Sequence, residues 1–213
     1  MNRTAYFTSD NIESVCRNVL NEIARARSRR NRKFIIEKSA LLIIDMQKYF
    51  LNKSSHAYVP SADAIIPNIK KLAQLFIAAE RPVIATRHQN TADDAQMMSK
   101  WWDDVIEKDS ETSEIQDYIV PNMAIILEKC QYDAFYKTNL KEILIERNVE
   151  QIVITGVVTH LCCETTARSA FVNGFEVFLP ADATADFYFD HYKATLLNVA
   201  DGFGSVVMTN SLC

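Results

Sequence analysis

Ile12, Val15, Val19, Leu20 and Ile23 recur at helical spacing, so residues from about 10 to 27 are expected to form an amphipathic helix. Beyond residue 38 the pattern changes. The segments 40–44, 82–86, 123–127, 151–155, 175–179 and 205–209 are short, mostly apolar and often β-branched, the pattern of strands covered on both faces. Helix-like stretches at 64–79, 140–147, 162–172 and 191–200 separate them. This alternation implies right-handed crossovers and an α/β fold, a three-layer, doubly wound sheet of about six parallel strands with helices on both faces. The organisation expected is a helical extension over 1–37 followed by one domain over 38–213.

Residues 88–120 break the alternation. They are polar and acidic, with Trp101 and Trp102 in their middle, and a connection this long between strands commonly forms a lid or binding loop.

Composition narrows the partners. The 213 residues are 48% hydrophobic and 23% charged with a formal net charge of -4, so nothing draws the chain toward nucleic acid or anionic lipid. A small-molecule ligand is the default. The basic run from Arg25 to Lys33 reads as the solvated end of the N-terminal helix. Five cysteines, an odd number with two adjacent, suit a reducing compartment, and neither a signal-peptide core nor a membrane-length apolar run is visible. Cytoplasm is the expected location. The four glycines, Gly156, Gly174, Gly202 and Gly204, form no phosphate-binding loop, and no cofactor is expected.

In parallel sheets ligands bind beyond the carboxyl ends of the strands. Asp45 closes the first strand, Lys129 lies just past the third, and Cys162 follows the fourth at the start of a helix. A helix N-terminus and a nearby ammonium both favour a thiolate, which would make Cys162 a reactive thiol. The competing reading makes Cys162 and Cys163 small core residues, and Cys163 is assigned to it. A redox role lacks the Cys-x-x-Cys spacing.

Ala40-Leu41-Leu42-Ile43-Ile44-Asp45-Met46-Gln47 resembles the first-strand motif of the isochorismatase-like cysteine hydrolases, and Glu128-Lys129-Cys130-Gln131-Tyr132-Asp133-Ala134-Phe135 resembles their lysine motif. Gly156-Val157-Val158-Thr159-His160-Leu161-Cys162-Cys163-Glu164-Thr165-Thr166-Ala167 is similar to their nucleophile motif, and Ala181-Asp182-Ala183 to the segment after the next strand. The order and spacing agree from about residue 38 to 210.

The resemblance implies Cys162 as nucleophile, Asp45 as proton acceptor and later activator of water, and Lys129 as the cation beside both. It also implies a cis peptide at Val158–Thr159 and an oxyanion hole built from the amides of Val158 and Cys162. Hydrolysis of an amide or ureide-like C–N bond through a thioester is the chemistry that follows. Self-association as a dimer or tetramer follows as well, through Trp101 and Trp102 or the N-terminal helix. Gln47, Arg87, His88, Trp101, Trp102, Tyr132 and His160 are the candidate substrate-binding residues.

Two other readings stay open. True isochorismatases split a vinyl ether with the aspartate as general acid and carry glycine at the cysteine position; Met46-Gln47-Lys48-Tyr49-Phe50, His160 and the N-terminal extension resemble that branch. A noncatalytic binding protein is the third reading. Nicotinamidases hold a metal with an Asp-x-His pair and a further His after the second strand. Thr86-Arg87-His88-Gln89-Asn90 has one histidine and no such pair, so no metal is expected.

Overall fold

The computed structural model describes residues 3–24, 32–102 and 104–213. Most of the basic run, residues 25–31, lies outside the described residues. Seven parallel strands form the sheet: β1 (Ser39–Ile44), β2 (Val83–His88), β3 (Ile125–Lys129), β4 (Gln151–Val157), β5 (Glu176–Pro180), β6 (Thr184–Ala185) and β7 (Ser205–Val207). The main order is β3-β2-β1-β4-β5-β7. Every residue of β1 and β4 is buried, which is why their sequences are continuous apolar runs without alternation.

β4 is long enough to serve two neighbours. Gln151–Val153 pair with Glu176–Phe178 of β5, whereas Gly156 and Val157 pair with Thr184 and Ala185 of β6. At two residues, β6 is too short for any periodicity to announce it. β3 corrects another expectation, because it lies at the edge, pairs only with β2 and leaves Ile126 47% exposed. One face of β3 is therefore open rather than covered.

The helices are α1 (Ile12–Glu22), α2 (Lys48–Leu51), α3 (Ala62–Ala78), α4 (Met98–Trp101), α5 (Leu140–Glu146), α6 (Glu164–Val172) and α7 (Phe189–Gly202). α3 packs on β1, β2 and β4; α6 packs on β5 and α7, and α7 on β7. The N-terminal helix is docked on its own chain: Ile12, Cys16, Val19 and Leu20 join the main core, and the Cys16 thiol meets the Tyr192 hydroxyl at 3.4 Å. Phe7, 2% exposed, enters the same core ahead of the helix.

Chain order and strand order together position the site. From β1 the chain moves outward through β2 to β3, then returns to the other side of β1 as β4. The reversal lies between β1 and β4, and the crevice outside their carboxyl ends is where ligands of such sheets bind. Gly156, near the end of β4, holds these two strands together. A Cβ there would lie 2.1 Å from the Ile44 carbonyl oxygen, and its φ of +106° suits glycine.

Candidate active site

Asp45, directly after β1, has a φ of 48°, uncommon for a residue with a side chain. Thr86 of β2 fixes it twice: the Asp45 amide donates to Thr86 Oγ1 at 3.0 Å, and the Thr86 hydroxyl donates to Asp45 Oδ1 at 2.5 Å. Lys129 is the last residue of β3, not the residue after it, and its long side chain reaches across β2. Its Nζ lies 2.8 Å from Asp45 Oδ2, 3.4 Å from Cys162 Sγ, 3.1 Å from His88 Nδ1 and 3.0 Å from the Gln131 carbonyl. The Asp45 and Lys129 side chains are fully buried, and Cys162 is 4% exposed. Three residues far apart in sequence thus converge at one point.

The cysteine sits on a wide helical turn, Thr159–Cys163, that leads into α6. The Val158 carbonyl accepts the amides of Leu161 at 3.1 Å and Cys163 at 3.3 Å, passing over that of Cys162. The non-proline cis peptide falls at Val157–Val158, one bond earlier than the sequence suggested at Val158–Thr159. Pairing with β6 ends at Val157, and Thr159 already opens the helical turn, so the change of direction lies between them. Asp186 caps this turn. Its Oδ2 accepts the His160 amide at 2.8 Å, its Oδ1 accepts the Phe187 amide at 2.7 Å, and His160 Nδ1 lies 2.8 Å from Oδ2.

The electrostatics correct the expectation of a thiolate at rest. Burial pushes the Cys162 thiol well above its ordinary range; the Lys129 cation pulls it down, and the Asp45 carboxylate pushes it up again. For Lys129, burial favours the neutral amine, but Asp45 and Cys162 outweigh it and the net shift is upward. His88 is pulled down to about 4 by burial and by the Lys129 cation, so it is a neutral imidazole at physiological pH. The resting pair is a neutral thiol beside a carboxylate held by an ammonium. Among the described residues Asp45 Oδ2 makes no well-directed hydrogen bond beyond its ion pair, which leaves a lone pair facing the thiol proton.

Among the described residues, two clusters bring three potential metal ligands together: Asp45, His88 and Cys162, and His160, Asp186 and His191. In the first, the Lys129 ammonium contacts all three ligand atoms and stands where a cation would be held. A second positive charge at that point would meet direct repulsion.

Beside Cys162 opens a cavity of about 190 Å³. Of the candidate substrate-binding residues, His88, Trp102 and Tyr132 line it, with the Trp102 indole N–H donating to the Tyr132 hydroxyl at 2.7 Å. The other four do not. Gln47 is fully buried and bonds the His88 amide and the His88 and Ser113 carbonyls, tying the long loop to β2. Arg87 points to the other side of β2 and pairs with Glu128, because alternate strand residues face opposite ways. Trp101 is 75% exposed at the end of α4, and His160 is turned away to Asp186. The cavity also uses residues the sequence reading missed: Arg3, Tyr49, Asn90 and Phe187. Thr86 was missed too, though a polar residue inside an apolar strand was a usable signal.

Known proteins of similar sequence and fold agree with this architecture. The Isochorismatase domain model matches residues 39–211. Nicotinamidase 3 of Arabidopsis thaliana is 39% identical over 179 residues, covering 82% of this chain and 86% of that protein. Enterobactin synthase component B of Escherichia coli (strain K12) is 33% identical over 83% of this chain, which spans 62% of that relative's length. A cysteine hydrolase from Pseudomonas syringae pv. phaseolicola 1448A superposes with a TM-score of 0.78 at 28% identity, covering 85% of this chain and 93% of that one. Matched over most of its length by sequence and by fold, the chain belongs to the isochorismatase family and is a hydrolase of that family.

Proposed function

We propose that the protein hydrolyses an amide or ureide-like C–N bond of a small molecule, with Cys162 as nucleophile. The observation that carries this reading is the Lys129 ammonium lying within 3.4 Å of both the Asp45 carboxylate and the Cys162 sulfur in a buried corner open to a cavity. As the thiol sulfur bonds to the substrate carbon, its proton passes to Asp45. The amides of Val158 and Cys162 then receive the developing oxyanion. The C–N bond breaks, the nitrogen leaves with the proton from Asp45, and a thioester remains. Water loses a proton to Asp45 as it attacks the thioester, and the released thiolate recovers that proton. Lys129 stays charged throughout and balances the anion, wherever it resides.

The raised thiol matters here, since ionisation coupled to attack keeps Cys162 unreactive until substrate fills the cavity. A panel of small amides and ureides assayed for ammonia, alongside isochorismate assayed for pyruvate, tests the reading. Ammonia release that disappears in Cys162→Ala supports it. Pyruvate release that survives Cys162→Ala would overturn it in favour of vinyl ether cleavage with Asp45 as general acid.

Trp101 and Met97, 75% and 62% exposed beside the loop that covers the cavity, are the side chains we assign to self-association, checked by sedimentation of Trp101→Ala. All five cysteines are free, which fits the reducing, cytoplasmic setting we propose. Among the described residues no helix is long and apolar enough to cross a membrane.

A further inference from the structure

The N-terminal segment ahead of α1 belongs to the cavity wall. The amides of Tyr6 and Phe7 both donate to the buried Ser61 Oγ, at 3.0 and 3.1 Å, and the Asp186 amide donates to the Tyr6 hydroxyl at 2.7 Å. With Phe7 also in the core, the backbone is pinned within four residues of Arg3. Arg3 lines the same cavity as His88, Tyr132 and Cys162. Its guanidinium carbon lies 3.9 Å from the centroid of the Phe187 ring, and Nη1 donates to the His56 carbonyl.

This placement resembles a built anion receptor. Stacking on Phe187 and the bond to His56 fix the plane of the guanidinium and, among the described residues, engage one of its five donors. A planar fork held in this way suits a carboxylate, which it can bind through two parallel hydrogen bonds. The acid near it, Asp104, is already engaged: the Tyr49 hydroxyl donates to it at 2.5 Å and His56 Nε2 lies 2.8 Å away. The rest of the cavity wall is mostly flat or apolar, with Trp102, Tyr132, Ile106 and Phe50 among its residues.

We infer that Arg3 is the specificity residue for a carboxylate at the end of the substrate remote from the cleaved bond. The substrate class is then a small anionic amide with a flat or apolar body. This inference rests on the hydrolytic reading above but is tested without turnover. The probes are 4-carbamoylbenzoate, with an amide at one end and a carboxylate at the other, and its neutral diamide terephthalamide.

Calorimetric titration of the full chain carrying Cys162→Ser is expected to show 4-carbamoylbenzoate binding about tenfold or more tightly than terephthalamide. Adding Arg3→Ala should erase that preference while leaving terephthalamide affinity within about twofold, and Arg3→Lys should restore part of it. An equal affinity for the two probes, a preference that survives Arg3→Ala, or no binding of the anion up to about 10 mM would each overturn the inference. A thermal midpoint unchanged in Arg3→Ala excludes loss of fold as the cause. The two readings fail separately. Ammonia release from neutral amides without any anion preference removes the role of Arg3 alone. An Arg3-dependent preference without ammonia release from any amide removes the hydrolytic step alone.

Discussion

Two buried carboxylates flank the turn that carries Cys162, and they are held differently. Asp186 accepts two backbone amides and faces His160, so both of its oxygens are occupied by groups that position the turn. Asp45 gives one oxygen to the Thr86 hydroxyl and turns the other to Lys129 and the Cys162 sulfur. A saturated carboxylate is structural, because its lone pairs are committed; a carboxylate with an open lone pair next to a thiol can move a proton. The adjacent cysteines differ in the same way. Cys162 faces Lys129 and the cavity, while Cys163 is fully buried with its sulfur 4.0 Å from the Thr155 carbonyl.

The sharpest break in that contrast is at the cysteines. On any amide the native enzyme turns over, Cys162→Ala is expected to lower kcat by roughly three to four orders of magnitude, and Cys163→Ala by no more than about threefold. Comparable losses in both would mean that the whole turn, rather than one sulfur, sets the activity.

Lys129→Ala comes next. It strands the fully buried Asp45 carboxylate, so chemical denaturation should register a loss of about 3–5 kcal/mol. Adding Asp45→Asn removes the stranded charge and should recover a large part of it. If the second change instead adds to the first, the two groups are not coupled.

Acid should reveal the same corner through His88. Its native pKa of about 4 lies below the unfolded value near 6.5, so the unfolded chain takes up a proton first as the pH falls. The contribution of His88 is complete above pH 6.5 and is lost between there and about pH 4, on the order of 3 kcal/mol. Unfolding curves across that window should flatten in His88→Gln; an unchanged slope would assign the acid sensitivity to other groups.

On the structural side, Asp186→Asn keeps an acceptor but loses charge and one bond, so a cost of about 1–2 kcal/mol is expected, with partial activity. Activity as low as in Asp45→Asn would erase the distinction between the two carboxylates. The smallest effect belongs to Trp101→Ala, within about 0.5 kcal/mol for the monomer, because its side chain is 75% exposed.

Much of the fold was legible along the chain because strands buried on both faces write themselves as continuous apolar runs. That signal located β1, β2, β3, β4, β5 and β7, but it misjudged the cover of β3, whose edge position depends on strand order. The candidate triad was legible for a related reason: strand ends are where reactive residues sit in parallel sheets, and the local motifs mark three of them. The pocket was less so. Gln47 and Arg87 stand at strand ends as His88 does, yet one is spent on backbone groups and the other faces away.

Most of the strands, the longer helices, the alternation that makes the sheet parallel, and the residue types able to carry the chemistry follow from the sequence, since all of these are local or periodic properties. The raised Cys162 thiol, the reach of Lys129 across β2 to Asp45 and the place of Arg3 in the cavity wall come instead from the packing of the whole chain. Each of those depends on burial or on distances between segments far apart in the chain, and periodicity records neither.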